Sequence, residues 1–147
     1  MMRREGKISV VTGGGRGIGR AICLALAREG SDLVIASDVK SEVEKVATEV
    51  TGIGRDALPY ELDVTKPDQV EALADVTVER FRKLDVLVNN AGVVGKRAFI
   101  SQSDEHVWRR TIEVNLFGTY HCTKAFLPRI MEQREGRIIN IASISGK

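Results

Sequence analysis

One stretch of the chain decides its fold: Val10-Val11-Thr12-Gly13-Gly14-Gly15-Arg16-Gly17-Ile18-Gly19. An apolar segment typical of a strand runs into the glycine cluster, and a helical pattern follows at once. Glycine lets the backbone of such a turn approach a phosphate closely, because no Cβ stands in the way. The unpaired N–H groups and the positive dipole end of the helix also attract anions. The stretch therefore predicts a nucleotide phosphate site, with a tight turn that binds nothing as the alternative.

Strand-like and helix-like segments alternate along the rest of the chain. The predicted strands are Lys7–Thr12, Leu33–Ser37, Ala57–Leu62, Leu84–Val88 and Arg137–Ala142. Pro59 cannot donate a hydrogen bond to a neighbouring strand, so the third strand belongs at a sheet edge. This alternation predicts an α/β fold with a parallel sheet and right-handed crossovers.

The spacing of apolar residues predicts the helices between these strands. Thr65 is expected to cap the third helix. A long helical region from about Glu105 to Glu132 contains Pro128, which should kink or locally break it. The first helix, directly after the glycines, has a predicted inner face made of Ile18, Ala21, Ile22, Ala25 and Leu26.

Length and composition exclude several classes of function. At 147 residues the chain is predicted to form one domain, residues 1–147. Its 22 basic and 20 acidic residues nearly cancel and form no basic run, which argues against a nucleic-acid partner. No apolar stretch has the length of a signal peptide or a membrane span, which predicts a cytoplasmic protein without a membrane partner. Cys23, Cys122, His106 and His121 lack metal-ligand spacing, so no metal site is predicted.

A polar residue or a glycine comes at or just after the end of every predicted strand. In an open α/β sheet, the carboxyl ends of the strands form the edge where ligands bind. The alternative is that polar residues simply end strands. Five such positions in register favour a ligand site, and they are Gly13, Asp38, Asp63, Asn89 and Ser143.

Four features in this order resemble the classical short-chain dehydrogenase/reductase family: Thr12-Gly13-x-x-x-Gly17-Ile18-Gly19, Asn89-Asn90-Ala91-Gly92, Asn115 and Ser143. The 3-oxoacyl-thioester reductases and related alcohol dehydrogenases are the most similar members. The resemblance implies a doubly wound parallel sheet, the Rossmann fold, with strand order 3-2-1-4-5. It also implies that this chain holds five strands, lacks the C-terminal part of the family fold, and belongs to a homo-oligomer in its full-length form.

By this resemblance the chain holds a nicotinamide dinucleotide. Asp63 would accept a hydrogen bond from the adenine amine, with Val64 beside the ring. Ser143 would contact the substrate oxygen and Asn115 would hold a water in a proton relay, which makes these two the catalytic residues. As alternatives, Asn115 is a satisfied core asparagine and Ser143 a hydroxyl that ends a strand. The implied cofactor-binding residues are Gly13, Arg16, Gly17, Ile18, Gly19, Asp38, Asp63, Val64, Asn89, Ala91 and Gly92.

The sequence carries opposing signals about which dinucleotide binds. In the family, a basic residue at the position of Arg16 favours the 2′-phosphate of NADP. Asp38 could instead accept from a free ribose hydroxyl and repel that phosphate, which favours NAD. In NAD-type members the acid ends the second strand itself, a place held here by Ser37. The balance favours NADP slightly over NAD.

The family's general acid is a tyrosine with a lysine four residues later, whose charge favours the phenolate. Tyr120 and Lys124 have this spacing, but they precede Ser143, whereas the family's pair follows the serine on the next helix. We therefore reject them. Because 4 residues follow Ser143, the chain is interpreted as a truncated member. Alone, it is expected to be inactive and to self-associate through its fifth strand.

The predicted function is that of an NAD(P)-dependent oxidoreductase, which transfers hydride between nicotinamide and a carbonyl or alcohol carbon of a small molecule. Two alternatives stay open. A dinucleotide-binding module without catalysis fits a chain that lacks the family's tyrosine and lysine. An S-adenosylmethionine methyltransferase also has a glycine loop and an acid after its second strand, although residues 89–92 and Ser143 argue against it.

Overall fold

The computed structural model of the protein describes residues 5–95 and 98–143. Its strands are β1 (Ile8–Thr12), β2 (Asp32–Ser37), β3 (Ala57–Glu61), β4 (Val86–Asn89) and β5 (Arg137–Asn140). Its regular helices are α1 (Gly17–Arg28), α2 (Lys40–Gly52), α3 (Pro67–Phe81), α4 (Glu105–Ile112) and α5 (Thr119–Gln133). A 3₁₀ turn at Ile100–Gln102 precedes α4, and a π-helical segment, Glu113–Gly118, joins α4 to α5.

The strands form one parallel sheet in the order β3-β2-β1-β4-β5. This confirms the predicted α/β class and strand order. Pro59 lies in β3, which is an edge strand as its missing donor requires. The sheet therefore presents all of its carboxyl ends at one edge, including the end of β1 that leads into the glycines.

β4 begins later than the sequence predicts, at Val86 rather than Leu84. The backbone of Leu84 instead forms hydrogen bonds with the side-chain amide of Gln133. The Leu84 N–H donates to Gln133 Oε1 at 2.8 Å, and the Leu84 carbonyl accepts from Gln133 Nε2 at 2.6 Å. A distant side chain thus replaces a strand partner. The other bounds differ by one or two residues, with β1 starting at Ile8, β2 at Asp32, β3 ending at Glu61 and β5 at Asn140.

Helices cover both faces of the sheet, which explains why its inner strands are predominantly apolar. Val10 and Val11 are neighbours in β1, and both are fully buried, but they face opposite sides. Val10 packs in one cluster with Leu73 of α3 and Phe126 of α5. Val11 packs in the other cluster with residues of α1 and α2 such as Val46. The sheet is therefore doubly wound.

The predicted inner face of α1 is wrong in part. Ile18, Ala21 and Ala25 are exposed, whereas Ile22 and Leu26 pack at the margin of the core. The buried stripe instead follows Gly19, Cys23 with Leu24, and Ala27. Gly19 sets this rotation, because its missing side chain lets α1 lie directly against the Gly13 carbonyl.

Thr65 does not cap α3, so that prediction is wrong. The residue before α3 is Lys66, whose side chain makes no capping hydrogen bond, and Pro67 opens the helix. Thr65 instead donates both its backbone N–H and its hydroxyl to Asp63 Oδ1, at 2.9 and 2.7 Å. This Asx-type turn shapes the loop that connects β3 to α3.

The region from α4 to α5 is helical throughout, but the helix becomes irregular before Pro128 rather than at it. α5 continues through Pro128, so the expected local break there is wrong. The change comes earlier, in the π-helical segment, where the wider turn rotates the residues that follow. Asp104 caps the start of α4 by accepting from the His106 N–H at 2.8 Å, as a polar residue before a helix should. Among the described residues, no helix combines the length and apolar character needed to cross a bilayer.

Candidate functional site

A cleft of about 270 Å³ opens at the carboxyl edge of the sheet, where the sequence predicts ligand binding. Glu42 and Arg110 also line it, although the sequence analysis singled out neither. Gly17, Asn89, Asn115 and Ser143 are not among the described residues that form its walls. Most predicted cofactor residues do line it: Gly13, Arg16, Ile18, Gly19, Asp38, Asp63, Val64, Ala91 and Gly92.

The glycine turn (residues 13–19) forms one wall through Gly13, Gly15 and Gly19, and its motif glycines differ in their roles. At Gly19 a Cβ would lie 2.0 Å from the Gly13 carbonyl oxygen, and at Gly13 it would lie 2.8 Å from the Cα of Ala91. Both glycines therefore permit close backbone packing. At Gly17, whose φ is +52°, a Cβ would meet nothing within 4 Å. Gly17 thus presents bare backbone to open space at the start of α1, where an anion is favoured.

Charged side chains stand at the end of the glycine turn. Arg16 is 82% exposed, and its Nε lies 3.8 Å from Glu42 Oε2 of α2. Asp38 is exposed just beyond β2, while Ser37 is buried at the end of that strand. The cleft therefore offers one basic and two acidic groups near the position where the sequence analysis placed the ribose. Glu42 lies in the first turn of α2, four residues after Asp38, and this nearness in sequence is the available signal for including it.

The opposite wall is the β3–α3 loop, residues 62–66. Burial by itself would raise the pKa of Asp63, but the two hydrogen bonds from Thr65, aided by the charges of Arg110 and Lys66, hold that pKa below its usual value. Arg110 Nη1 lies 3.8 Å from Asp63 Oδ2. The carboxylate is thus held ionised and oriented inside the cleft. Arg110 arrives from α4, and no local sequence signal connects it with Asp63.

Residues 89–92 join the sheet to the glycine turn. Thr12 Oγ1 accepts from the N–H groups of Asn90 and Ala91, each at 3.1 Å. The Asn90 side chain donates to the carbonyls of Thr12 and Gly13, both at 3.0 Å. Asn89 points the other way: it is buried, and its Nδ2 donates to Thr123 and Asn140. Asn90 and Ala91 therefore support the cleft, whereas Asn89 ties β4 to β5 and α5.

The two predicted catalytic residues lie outside this cleft lining. Asn115, in the π-helical segment, accepts from the Val93 N–H at 2.8 Å and donates to the Val93 carbonyl at 2.9 Å. Its side chain thus clamps the segment after β4 with one hydrogen and one lone pair, and an amide carries one more of each than these two contacts use. Ser143 is exposed beyond the end of β5, on the same side of the sheet as the cleft.

Tyr120 and Lys124 lie on α5, outside the cleft lining among the described residues. Tyr120 is half exposed, and the Lys124 ammonium lies 5.7 Å from its ring centroid. This contact orients the charge toward the face of the ring rather than toward the hydroxyl.

The parallel sheet, the glycine turn at a helix N-terminus and the polar carboxyl edge define a Rossmann-type nucleotide-binding fold. A dinucleotide fits the residues present, because Gly17 leaves room for a phosphate and the β3–α3 loop supplies an oriented carboxylate. The family described as short chain dehydrogenase matches residues 7–147. The chain belongs to this family.

Individual relatives agree with this assignment. The chain is 35% identical to the 3-oxoacyl-(acyl-carrier-protein) reductase FabG of Thermotoga maritima, over 99% of this chain and 58% of the relative. The solved structure of an NAD⁺-bound xylitol dehydrogenase matches with a TM-score of 0.96 and 35% identity, over 98% of this chain and 55% of that protein. A 3-ketoacyl-ACP reductase from Sinorhizobium meliloti matches with a TM-score of 0.92 and 36% identity, over 95% of this chain and 55% of that protein. The chain therefore spans little more than half the length of these three relatives.

Proposed function

We propose that this chain is the dinucleotide-binding part of an NAD(P)-dependent oxidoreductase that acts on a carbonyl or alcohol group of a small molecule. The observation that carries the proposal is the cleft at the carboxyl edge of the sheet, which the glycine turn at the N-terminus of α1 and the oriented carboxylate of Asp63 line together. Family membership and the similarity to 3-oxoacyl reductases and a xylitol dehydrogenase support it. A cytoplasmic location and a homo-oligomeric full-length protein are part of the same proposal.

Different residues of the cleft would contact different parts of the dinucleotide. The glycine turn would hold the pyrophosphate, and Asp63 and Val64 the adenine. Asn90, Ala91 and Gly92 would line the central part of the dinucleotide, while Asn89 steadies the sheet behind them. Bound nicotinamide would supply or accept the hydride. Ser143 would donate to the substrate oxygen, and Asn115 would hold a water through the hydrogen-bonding capacity that Val93 leaves free.

The choice between NADP and NAD is proposed to favour NADP slightly. Arg16 is exposed and lines the cleft, so it can meet a 2′-phosphate, but Glu42 partly neutralises its charge and Asp38 adds a second negative charge nearby. The preference should therefore be modest. A strong preference would require the removal of one of the two acids.

Fluorescence titration of the purified protein with NADH and NADPH, alongside calorimetry with S-adenosylmethionine, tests the proposed ligand class. We expect saturable binding of the two dinucleotides and none of S-adenosylmethionine. Binding of S-adenosylmethionine alone would refute the proposal in favour of a methyltransferase.

Catalysis is tested by comparing the 147-residue polypeptide with a version extended by a family-like segment that carries Tyr-x-x-x-Lys. An unshifted serine is far too weak an acid to protonate an alkoxide near neutral pH, so the polypeptide alone should be inactive. It should also self-associate, because β5 is an edge strand of the described sheet and exposed apolar side chains run along the neighbouring helical region. These side chains are Ile112, Leu116, Phe117, Tyr120, Leu127 and Met131. Carbonyl reduction by a monomeric 147-residue polypeptide would contradict this prediction and return Tyr120 to consideration.

A further inference from the structure

We propose that His121 is a positioning residue for the adenine end of the cleft, acting through the backbone of Val64. The inference rests on the proposed dinucleotide function, and it assigns a role to a histidine that the sequence analysis left without one. His121 lies on α5 and does not line the cleft itself. Its effect is transmitted by a single peptide unit.

The carbonyl of Val64 accepts a hydrogen bond from the His121 ring. Val64 is buried, and its carbonyl oxygen lies 3.0 Å from His121 Nδ1. A carbonyl can only accept, so Nδ1 must carry the proton in this contact. A buried backbone carbonyl that lost its donor would carry a desolvation cost. The contact therefore restrains the loop as well as the histidine.

The same peptide unit fixes the carboxylate of Asp63. The Val64 carbonyl and the Thr65 N–H belong to one planar amide, so they rotate together. The Thr65 N–H donates to Asp63 Oδ1 at 2.9 Å, and the Thr65 hydroxyl donates to the same oxygen at 2.7 Å. His121 thus holds one side of the amide while Asp63 is held by the other. Rotation of this amide would turn the Asp63 carboxylate away from its position in the cleft.

The helix beneath the loop keeps the histidine ring in place. The rings of Phe117 and Tyr120 lie 6.3 and 5.7 Å from the His121 ring, centroid to centroid. Gly118 brings the helix close, since a Cβ there would lie 2.5 Å from Val64 Cγ2. The helix and the loop therefore meet in direct contact, with the ring on one side and Gly118 on the other. Because Gly118 ends the π-helical segment, that segment sets the rotation at which His121 reaches Val64.

The first test measures the loop without any ligand. In the purified protein, the Thr65 amide of a His121→Leu variant should exchange with deuterium about tenfold faster than in the wild type. His121→Asn should restore most of the protection, because its side-chain amide can donate from nearly the same position as Nδ1. His106→Leu, at an exposed position on α4, serves as the matched control and should leave Thr65 unchanged. An unchanged exchange rate of the Thr65 amide in His121→Leu would show that His121 does not anchor the Val64 carbonyl.

The second test measures which half of the ligand is affected. His121→Leu should weaken binding of ADP-ribose about fivefold to tenfold, leave reduced nicotinamide mononucleotide unchanged, and be rescued by His121→Asn. Equal losses for the two probes would indicate a general structural effect and overturn the positioning role. If wild-type protein binds neither NADH nor NADPH, the proposed function fails and the positioning role with it. Thr65 exchange then still reports whether the anchor exists, so the two failures are distinguishable.

Discussion

The two walls of the cleft are built in different ways. The glycine turn lies within one strand–turn–helix unit, so its glycines are close in sequence, and Asn90 adds a support from far along the chain by donating to the Gly13 carbonyl. The β3–α3 loop depends on side chains far along the chain: the Val64 carbonyl is held by a residue 57 positions away. Arg110 of α4 likewise reaches Asp63 from another element. The first wall can therefore be recognised as a motif, whereas the second exists only when the helices are packed.

This difference predicts different responses to substitution. A change in the glycine turn should act on backbone packing or on the phosphate directly, and it should act strongly. A substitution in the β3–α3 loop should have a smaller effect, because several weak contacts together hold this loop in place. The glycine turn also contains two kinds of position. Substitution at a packed position should affect folding, whereas substitution at an open position should affect ligand binding.

The largest expected effect is that of Gly19→Ala, a packed position. The added Cβ would lie 2.0 Å from the Gly13 carbonyl oxygen and 2.5 Å from Asn90 Nδ2, so the backbone must shift. We expect a loss of about 3 kcal/mol in the free energy of unfolding, measured by urea denaturation. Gly52→Ala is the matched control, because a Cβ there meets nothing within 4 Å, and it should be neutral or slightly stabilising. Equal stability of the two variants would contradict the packing role of Gly19.

Gly17→Val tests the open position of the same turn. Its side chain would project into the space proposed for the pyrophosphate, so dinucleotide affinity should fall about a hundredfold, or ~2.7 kcal/mol. The fold should persist, because no atom lies within 4 Å of the new Cβ. Gly54→Val shares the positive φ and the open surroundings but lies between α2 and β3. It should show the same backbone strain with normal affinity, and a loss of binding in both variants would argue against a phosphate at Gly17.

Arg16→Ala should change which dinucleotide is preferred rather than whether one binds. The NADPH-to-NADH affinity ratio is expected to fall about fivefold. This corresponds to ~1 kcal/mol, the size of interaction that an exposed charge usually makes. Glu42→Gln should move the ratio the opposite way, because Glu42 is the partner of Arg16. Arg20→Ala is the control, since Arg20 pairs with Glu49 on the outer surface of α1 and α2. An unchanged ratio in Arg16→Ala would remove Arg16 from the recognition of the ribose.

The smallest effect is expected for Asp63→Asn, in the β3–α3 loop. The pKa of Asp63 lies below its ordinary value of 3.8 in the folded chain, so the carboxylate stabilises the fold above that pH. That contribution disappears as the pH falls through the lowered pKa. The variant should be about 1 kcal/mol less stable than wild type at pH 6, and the difference should narrow below about pH 4.

Urea denaturation at several pH values measures this difference. Asp38→Asn, an exposed acid beyond β2, provides the comparison on the opposite side of the cleft. The same narrowing in both variants would mean that the hydrogen bonds from Thr65 do not set the behaviour of Asp63.

Much of the fold could be predicted because its signals are local. Apolar strands, helical periodicity and strand-ending polar residues identified the parallel sheet, and Pro59 located an edge strand. The failures also have local causes. Thr65 has a polar side chain close to the start of α3, but its hydroxyl donates a hydrogen bond to Asp63 instead of capping the helix. Pro128 predicted a break, but α5 continues through it.

The sequence by itself determined the class of fold and identified the glycine turn, because apolar periodicity and a glycine cluster between a strand and a helix are signals carried by near neighbours in the chain. Only the tertiary structure decided the rotation of α1, the contact of Arg110 with Asp63 and the anchoring of Val64 by His121. Those features require elements distant in sequence to pack at a particular angle. A side chain's position in the chain does not specify that angle, since it results from the summed packing of the core.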